Sequence, residues 1–243
     1  MILLATDFGL AGPYVGQLHL VLGRLVPEMP VVDLQHDLPP FRPDLASPLL
    51  AAHLDWAQPG DVVLAVVDPG VGTERRPLAL RLDGIWLVGP DNGLFEAALR
   101  RARSIESYEI VWRPERLSAS FHGRDLFAPV AARLARGDRA GLAPAEPTRF
   151  REWPDELPVI VYLDGYGNAW TGLRATHLPA GTRLRVAGRT LERARTFGEV
   201  PAGTAFWYEN SSGLAEIAVS GGSAAGTLGL RPGDPVAIVV GDC

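Results

Sequence analysis

The chain has 243 residues, 47% hydrophobic and 21% charged, with a formal net charge of -5. This is the composition of a globular protein long enough to bury a large core, and it excludes a disordered chain. The acidic balance without a basic stripe argues against a nucleic-acid partner, and no apolar run reaches the roughly 18 residues that span a bilayer.

In chain order, residues 2–5 read as a buried strand ending at Thr6-Asp7-Phe8-Gly9. No basic leader or cleavage site precedes it, so a cytoplasmic location is expected. Gly12-Pro13 opens a helix whose Val15, Leu18, Val21, Leu22 and Leu25 share one face. A second strand at 31–34 leads to Pro39-Pro40-Phe41, and residues 44–56 read as a helix capped by Asp44. The run Val62-Val63-Leu64-Ala65-Val66-Val67 is a third strand, closed by Asp68-Pro69-Gly70-Val71-Gly72-Thr73-Glu74-Arg75. Residues 78–82 and 85–88 form a hairpin pattern around Asp83-Gly84, and 94–103 and 126–134 are expected helices. Across 139–158 the texture changes to Gly, Ala, Pro and charge. Short strand patterns follow at 159–163, 169–173, 183–186, 205–208, 214–219 and 235–240. The expected fold class is α/β. An N-terminal α/β domain (1–140) with a central, mostly parallel sheet leads through a linker (141–157) to a C-terminal all-β, barrel-like domain (158–243).

Several enzyme classes drop out at once. Cys243 is the sole cysteine and lysine is absent, which removes intrachain disulfides, P-loop chemistry and lysine Schiff bases. Neither a Gly-x-Ser-x-Gly elbow nor a Gly-x-Gly-x-x-Gly fingerprint occurs. What remains is a set of polar strand ends. Asp7, Asp68 and Asp91 each close a strand pattern, where open α/β sheets bind their ligands, although Asp is also an ordinary turn and capping residue. His122, in Phe121-His122-Gly123-Arg124-Asp125, adds an imidazole that could equally be structural. Asp33, His36 and Asp37 lack the spacing of a metal site, and no metal is expected.

The ordered set Thr6-Asp7-Phe8-Gly9, Asp68-Pro69-Gly70-Val71-Gly72, Gly89-Pro90-Asp91-Asn92-Gly93, Phe121-His122-Gly123-Arg124-Asp125, Asp164-Gly165-Tyr166-Gly167-Asn168 and Ser211-Ser212-Gly213-Leu214-Ala215-Glu216-Ile217-Ala218 resembles the S-adenosylmethionine (SAM) hydroxide adenosyltransferases over essentially the whole chain. That family is related to the SAM-dependent fluorinase and chlorinase. The resemblance implies hydrolysis of SAM to adenosine and methionine. It also implies a homotrimer in which SAM lies between the N-domain of one subunit and the C-domain of its neighbour. No cofactor is implied, because SAM is the substrate.

Carried over residue by residue, the resemblance implies a catalytic set of Asp68, Arg75 (with Arg76 adjacent) and His122. Asp7 would hold the ribose hydroxyls, Phe41 would wall the nucleoside, and Asp164 would meet the methionine ammonium. Asn168 would read the adenine, Tyr166 and Trp170 would line its pocket, and Ser211 with Ser212 would meet the methionine carboxylate. The chain departs from the family at Leu214, where an aromatic residue is usual, and at Tyr166, where Phe is common; both are expected in pocket walls. Two alternatives stand beside hydrolysis. One is a SAM- or adenosine-binding sensor; the other is halogenation, which a carboxylate at Asp68 disfavours by repelling halide.

Overall fold

Strand β1 (Ile2–Thr6) is apolar except at its last residue and buried at every position, as is β3 (Val62–Val66). Strands covered on both faces belong to a parallel sheet flanked by helices. The computed structural model describes residues 1–239 and divides into two compact units, Met1–Arg151 and the residues from Glu152 onward.

In the first unit β1 lies between β2 (Val31–Gln35) and β3, parallel to both. Beyond β3 come β5 (Ile85–Pro90), then the antiparallel β4 (Pro77–Leu82), then β6 (Ile105–Ile110) and β7 (Leu142–Pro144). The chain thus runs outward from β1 to β2 and returns to the other side of β1 at β3. This places a topological switch point at the carboxyl ends of β1 and β3, where crevices form in open sheets.

Helices α1 (Tyr14–Leu25), α2 (Pro43–His53), α3 (Glu96–Arg101) and α4 (Ala128–Ala135) accompany the sheet. The helix expected over 44–56 ends at His53, with a 3-10 turn to Trp56. Asp44 does not cap it: Arg42 occupies the N-cap and Asp44 pairs with the Arg42 side chain (Nε–Oδ1 2.8 Å). The helix expected at 94–103 contracts to α3. Residues 123–127 form a π-helical turn before α4, with the Ala128 N–H donating to the Gly123 carbonyl.

Three strands escape the sequence reading: β6 and β7 here, and in the second unit the short strand Arg189–Leu191. β6 (Ile-Glu-Ser-Tyr-Glu-Ile) is polar and half exposed, and β7 opens the stretch expected to be linker. That stretch remains tied to the first unit further on: Arg149 binds Glu96 (3.0 and 3.1 Å) and Arg100 Nη2 donates to the Phe150 carbonyl (2.8 Å).

The second unit holds β8 (Leu157–Leu163), β9 (Ala169–Arg174), β10 (Arg183–Val186), β11 (Arg189–Leu191), β12 (Ala205–Glu209), β13 (Leu214–Val219), the short helix α5 (Ala224–Leu228) and β14 (Ala237–Val239). One sheet runs β12-β13-β9-β8 and the other β11-β10-β14, all antiparallel. Bridges Val159↔Pro235 and Arg193↔Trp207 join the sheets at both edges. That links the two sheets into a ring in this unit, in which Trp207 is fully buried. Residue 240 of the last expected strand and Cys243 lie outside the described residues. Among the described residues, no helix is long and apolar enough to cross a membrane.

Candidate functional site

Asp7 and Asp68 leave the switch point side by side. β1 and β3 pair in register through Thr6↔Val66, and the Asp7 N–H donates to the Val66 carbonyl (3.2 Å). Beyond these strand ends lies a cavity of about 170 Å³ lined by Asp7, Phe41, Asp68, Phe121 and His122 among others.

The loop after Asp68 is shaped by Pro69-Gly70 and by Gly72 at φ +77°, where an added Cβ would lie 2.4 Å from the Ala119 carbonyl oxygen. Thr73 Oγ1 donates to the Gly70 carbonyl (2.7 Å) and accepts from the Arg75 N–H (3.3 Å). This tight loop returns Arg75 to Asp68. The guanidinium grips the carboxylate in a fork, Nε to Oδ1 at 3.1 Å and Nη2 to Oδ2. Nη1 donates to the Arg76 carbonyl (3.1 Å), and the guanidinium carbon stands 5.4 Å from the centroid of the Phe127 ring. Both charged side chains are nearly inaccessible, 4% exposed for Asp68 and 8% for Arg75. The fork-on-carboxylate geometry is specific to arginine.

Arg75 Nη2 also lies 3.4 Å from His122 Nδ1. A guanidinium can only donate, so this contact assigns Nδ1 as the acceptor of a neutral imidazole and Nε2 as its N–H. Burial, and then the Arg75 charge, hold the His122 pKa below the usual histidine value, consistent with that tautomer. The loop carrying His122 is braced by Arg124 and Asp125: Arg124 binds Asp125 (2.6 and 2.9 Å) and Gln17 (2.7 Å), and Asp125 accepts from the Ser118 N–H (2.9 Å).

Asp7 accepts from the Phe41 N–H at 3.5 Å, and burial raises its pKa. Phe41 itself is 74% exposed with φ +62°, a strained conformation for an aromatic residue. Asp91, the third strand-end aspartate, is not part of this cavity's lining. Its carboxylate is taken by Arg76 (2.6 Å) and by the Thr148 N–H and hydroxyl (2.9 and 3.0 Å). Arg76 is thus committed elsewhere, which separates it from Arg75.

The remaining expected residues gather in the second unit around a cavity of about 700 Å³ lined by Asp164, Tyr166, Asn168, Trp170 and Ser211 among others. Asp164 Oδ1 caps its own turn, accepting from the N–H groups of Tyr166 (2.9 Å) and Asn168 (2.8 Å). Tyr166 is 84% exposed at the rim. Trp170 Nε1 is buried without a partner among the described residues, a free donor at the wall. Ser212 donates its N–H to Asn210 Oδ1 (2.9 Å) and stands next to Ser211, outside the lining. Leu214, expected in a pocket wall, is fully buried and is not among the residues that line this cavity.

Sequence reasoning missed Tyr208, Asn210 and Glu216, which line the same cavity. Glu216 carried a signal: it is an acidic residue in a strand otherwise apolar and buried throughout.

Residues 2–142 match the SAM hydroxide adenosyltransferase N-terminal domain, and residues 159–237 match the C-terminal domain of the same family. The chain is 43% identical to an (R)-S-adenosyl-L-methionine hydrolase of Thermus thermophilus, over 96% of this chain and 97% of that protein. It is 40% identical to a protein of the same name from Salinispora arenicola, over 97% and 96%. A crystal structure of an uncharacterized conserved protein from Thermotoga maritima superposes with a TM-score of 0.82 at 32% identity, covering 98% of this chain and 99% of that one.

Proposed function

Because this chain belongs to the SAM hydroxide adenosyltransferase family, we propose that it hydrolyses SAM to adenosine and L-methionine, with the (R) sulfonium epimer as substrate. The name of its 40–43% identical relatives supports the substrate. The observation that carries the chemistry is the Asp68–Arg75–His122 constellation, with contacts of 3.1 and 3.4 Å, at the end of β3.

Water attacks ribose C5′ in line with the sulfonium. The C5′–O bond forms, the C5′–S bond breaks with its electron pair passing to sulfur, and methionine leaves as a neutral thioether. A neutral leaving group needs no general acid, so the protein's work lies with the nucleophile. Arg75 holds both carboxylate oxygens of Asp68, and their remaining lone pairs orient the water and receive its proton on the way to solvent. His122 Nε2–H is the donor suited to a hydroxide-like oxygen. Fusing hydroxide character with a sulfonium cancels charge, which a small, water-poor cavity favours. The reaction balances with water alone and calls for no cofactor and no metal.

Asp7 then takes the ribose hydroxyls, with Phe41 against the nucleoside. Asp164 takes the methionine ammonium, Asn168 the adenine between Tyr166 and Trp170, and Ser211 with Ser212 the methionine carboxylate. The reading extends to a cytoplasmic homotrimer, supported by family resemblance and checked by sedimentation, where three times the chain mass is expected. The test of function is incubation of the purified protein with (R)- and (S)-SAM. Adenosine and methionine should appear in equal amounts from the (R) epimer; 5′-halogenated adenosine, or tight binding without turnover, would refute hydrolysis.

A further inference from the structure

Thr6 closes β1 one residue before Asp7 and is fully buried. Its Oγ1 accepts from the Phe8 N–H (3.2 Å) and lies 2.7 Å from Nδ1 of His36, a residue just past β2 that is itself 5% exposed. On the other side of the ring, His36 Nε2 stands 3.0 Å from Asp33 Oδ1, within ion-pair range though not aligned as a hydrogen bond. Backbone contacts run beside these side chains: the Leu38 N–H donates to the Thr6 carbonyl (3.1 Å) and the Gly9 N–H to the His36 carbonyl (2.6 Å). Thr6, His36 and Asp33 have no part in the hydrolysis chemistry above.

The carboxylate gives this chain its direction. A lone pair on Nε2 would face an anion, so the ring proton belongs on Nε2 and Nδ1 is left as an acceptor. The Thr6 hydroxyl then donates to Nδ1 and keeps a lone pair for the Phe8 N–H. Carboxylate, imidazole and hydroxyl follow the order of a hydrolase triad, but a hydroxyl without solvent access cannot attack a substrate. Its work is on the backbone. The Phe8 N–H belongs to the peptide that follows Asp7, and the Asp7 N–H is held by the Val66 carbonyl (3.2 Å), so the peptides on both sides of Asp7 are fixed. Asp7 shares its cavity with Asp68, and two carboxylates repel; a backbone held on both sides keeps Asp7 from yielding. We propose that Thr6, His36 and Asp33 are positioning residues that set the Asp7 carboxylate against the ribose hydroxyls of the substrate. A site built to hydrogen-bond a hydroxyl rejects the analogue that lacks it, so the precision of this placement is read in ribose selectivity.

This inference rests on the hydrolase reading for the identity of the cavity's occupant, so its test separates the two. Calorimetry measures binding of adenosine and 2′,3′-dideoxyadenosine to the full-length protein, independently of turnover, and SAM hydrolysis is measured alongside. The wild type is expected to bind adenosine at least about tenfold more tightly, since a hydrogen bond to a charged group corresponds to roughly that factor. Thr6→Val removes the hydroxyl at nearly constant shape. It should bring the two affinities within about threefold by weakening adenosine alone, and in hydrolysis it should raise KM for SAM more than it lowers kcat. Thr6→Ser, which restores the hydroxyl, should restore the preference. A merely structural loss would weaken both nucleosides alike and leave their ratio unchanged. Should Thr6→Val not fold, Asp33→Ala decides: its side chain is 42% exposed, and the preference must fall at least about threefold. A wild type without preference, a preference untouched in Thr6→Val or Asp33→Ala, or one lost equally in Thr6→Ser would overturn the proposal. Absence of SAM hydrolysis with the expected nucleoside preferences intact would instead overturn only the hydrolase reading.

Discussion

Asp68 and Arg75 form a nearly inaccessible ion pair, so the two ends of the pair respond differently to substitution. Replacing Asp68 by Asn keeps the shape and an acceptor oxygen but removes the charge that, in the proposed mechanism, orients water and takes its proton. SAM turnover is expected to fall roughly 10²–10⁴-fold while adenosine binding, measured by calorimetry, is retained. Replacing Arg75 by Ala leaves a buried carboxylate unpaired, and chemical denaturation should show a loss of about 3–5 kcal/mol in stability. In the proposed mechanism His122 sets the acid side of the pH profile. Its pKa lies below the ordinary value of about 6.5, so the neutral, Arg75-accepting imidazole persists as pH drops through 6.5 and is lost only lower. The acid limb of kcat/KM should therefore lie below pH 6.5, measured by methionine release, and should disappear in His122→Asn.

At the scale of elements there are close backbone approaches at Gly72, in the loop after Asp68, and at Gly89. Gly89 on β5 packs against β3, and an added Cβ would lie 2.2 Å from the Ala65 carbonyl oxygen and 2.9 Å from the Phe95 ring. Neither backbone nor packed ring can give way, so Gly89→Ala is expected to lower the unfolding midpoint markedly, by thermal melt. Gly9 also sits at positive φ (+67°), but a Cβ added there would meet nothing within 4 Å, so the two glycines do different work. The His122 loop, which Gly72 approaches at Ala119, is also held by side chains. Arg124→Ala removes its links to Gln17 and Asp125 and should reduce kcat about tenfold with little change in KM, because a small displacement of a positioned group is expensive in rate.

At the scale of the whole molecule, the polar residues fall into two cavities, one in each unit: Asp7, Asp68 and His122 in the first, Asp164, Asn168 and Ser211 in the second. Variants should divide by role, with changes at Asp68 and His122 acting on kcat and second-unit changes on KM. Asp164→Asn is the informative substitution. It retains the Oδ1 that caps the turn but loses the charge, and KM for SAM should rise about tenfold at unchanged kcat, since one charge-assisted hydrogen bond is lost.

Local pattern reached far into this chain where physical constraints are local. Fully apolar runs such as 62–66 announced covered strands, and Asp-Pro-Gly at their ends announced turns with exposed chemistry. The α/β class and the motif set that marks the family were therefore legible from residues alone. β6 and β7 were not, because their half-exposed, charged residues become strands only through pairing with β4 and with each other. Asp91 looked equivalent to Asp7 and Asp68 in sequence, but only the folded chain hands its carboxylate to Arg76 and Thr148. Likewise nothing in the order of residues says that Glu216 meets Tyr208 and Asn210; strand pairing and the turn before β13 bring them together. Sequence determined the apolar strands and main helices, the chemical inventory and the family, because those depend on neighbours along the chain. Tertiary structure decided which charges neutralise one another and which stay free for a ligand, because that depends on distance through space.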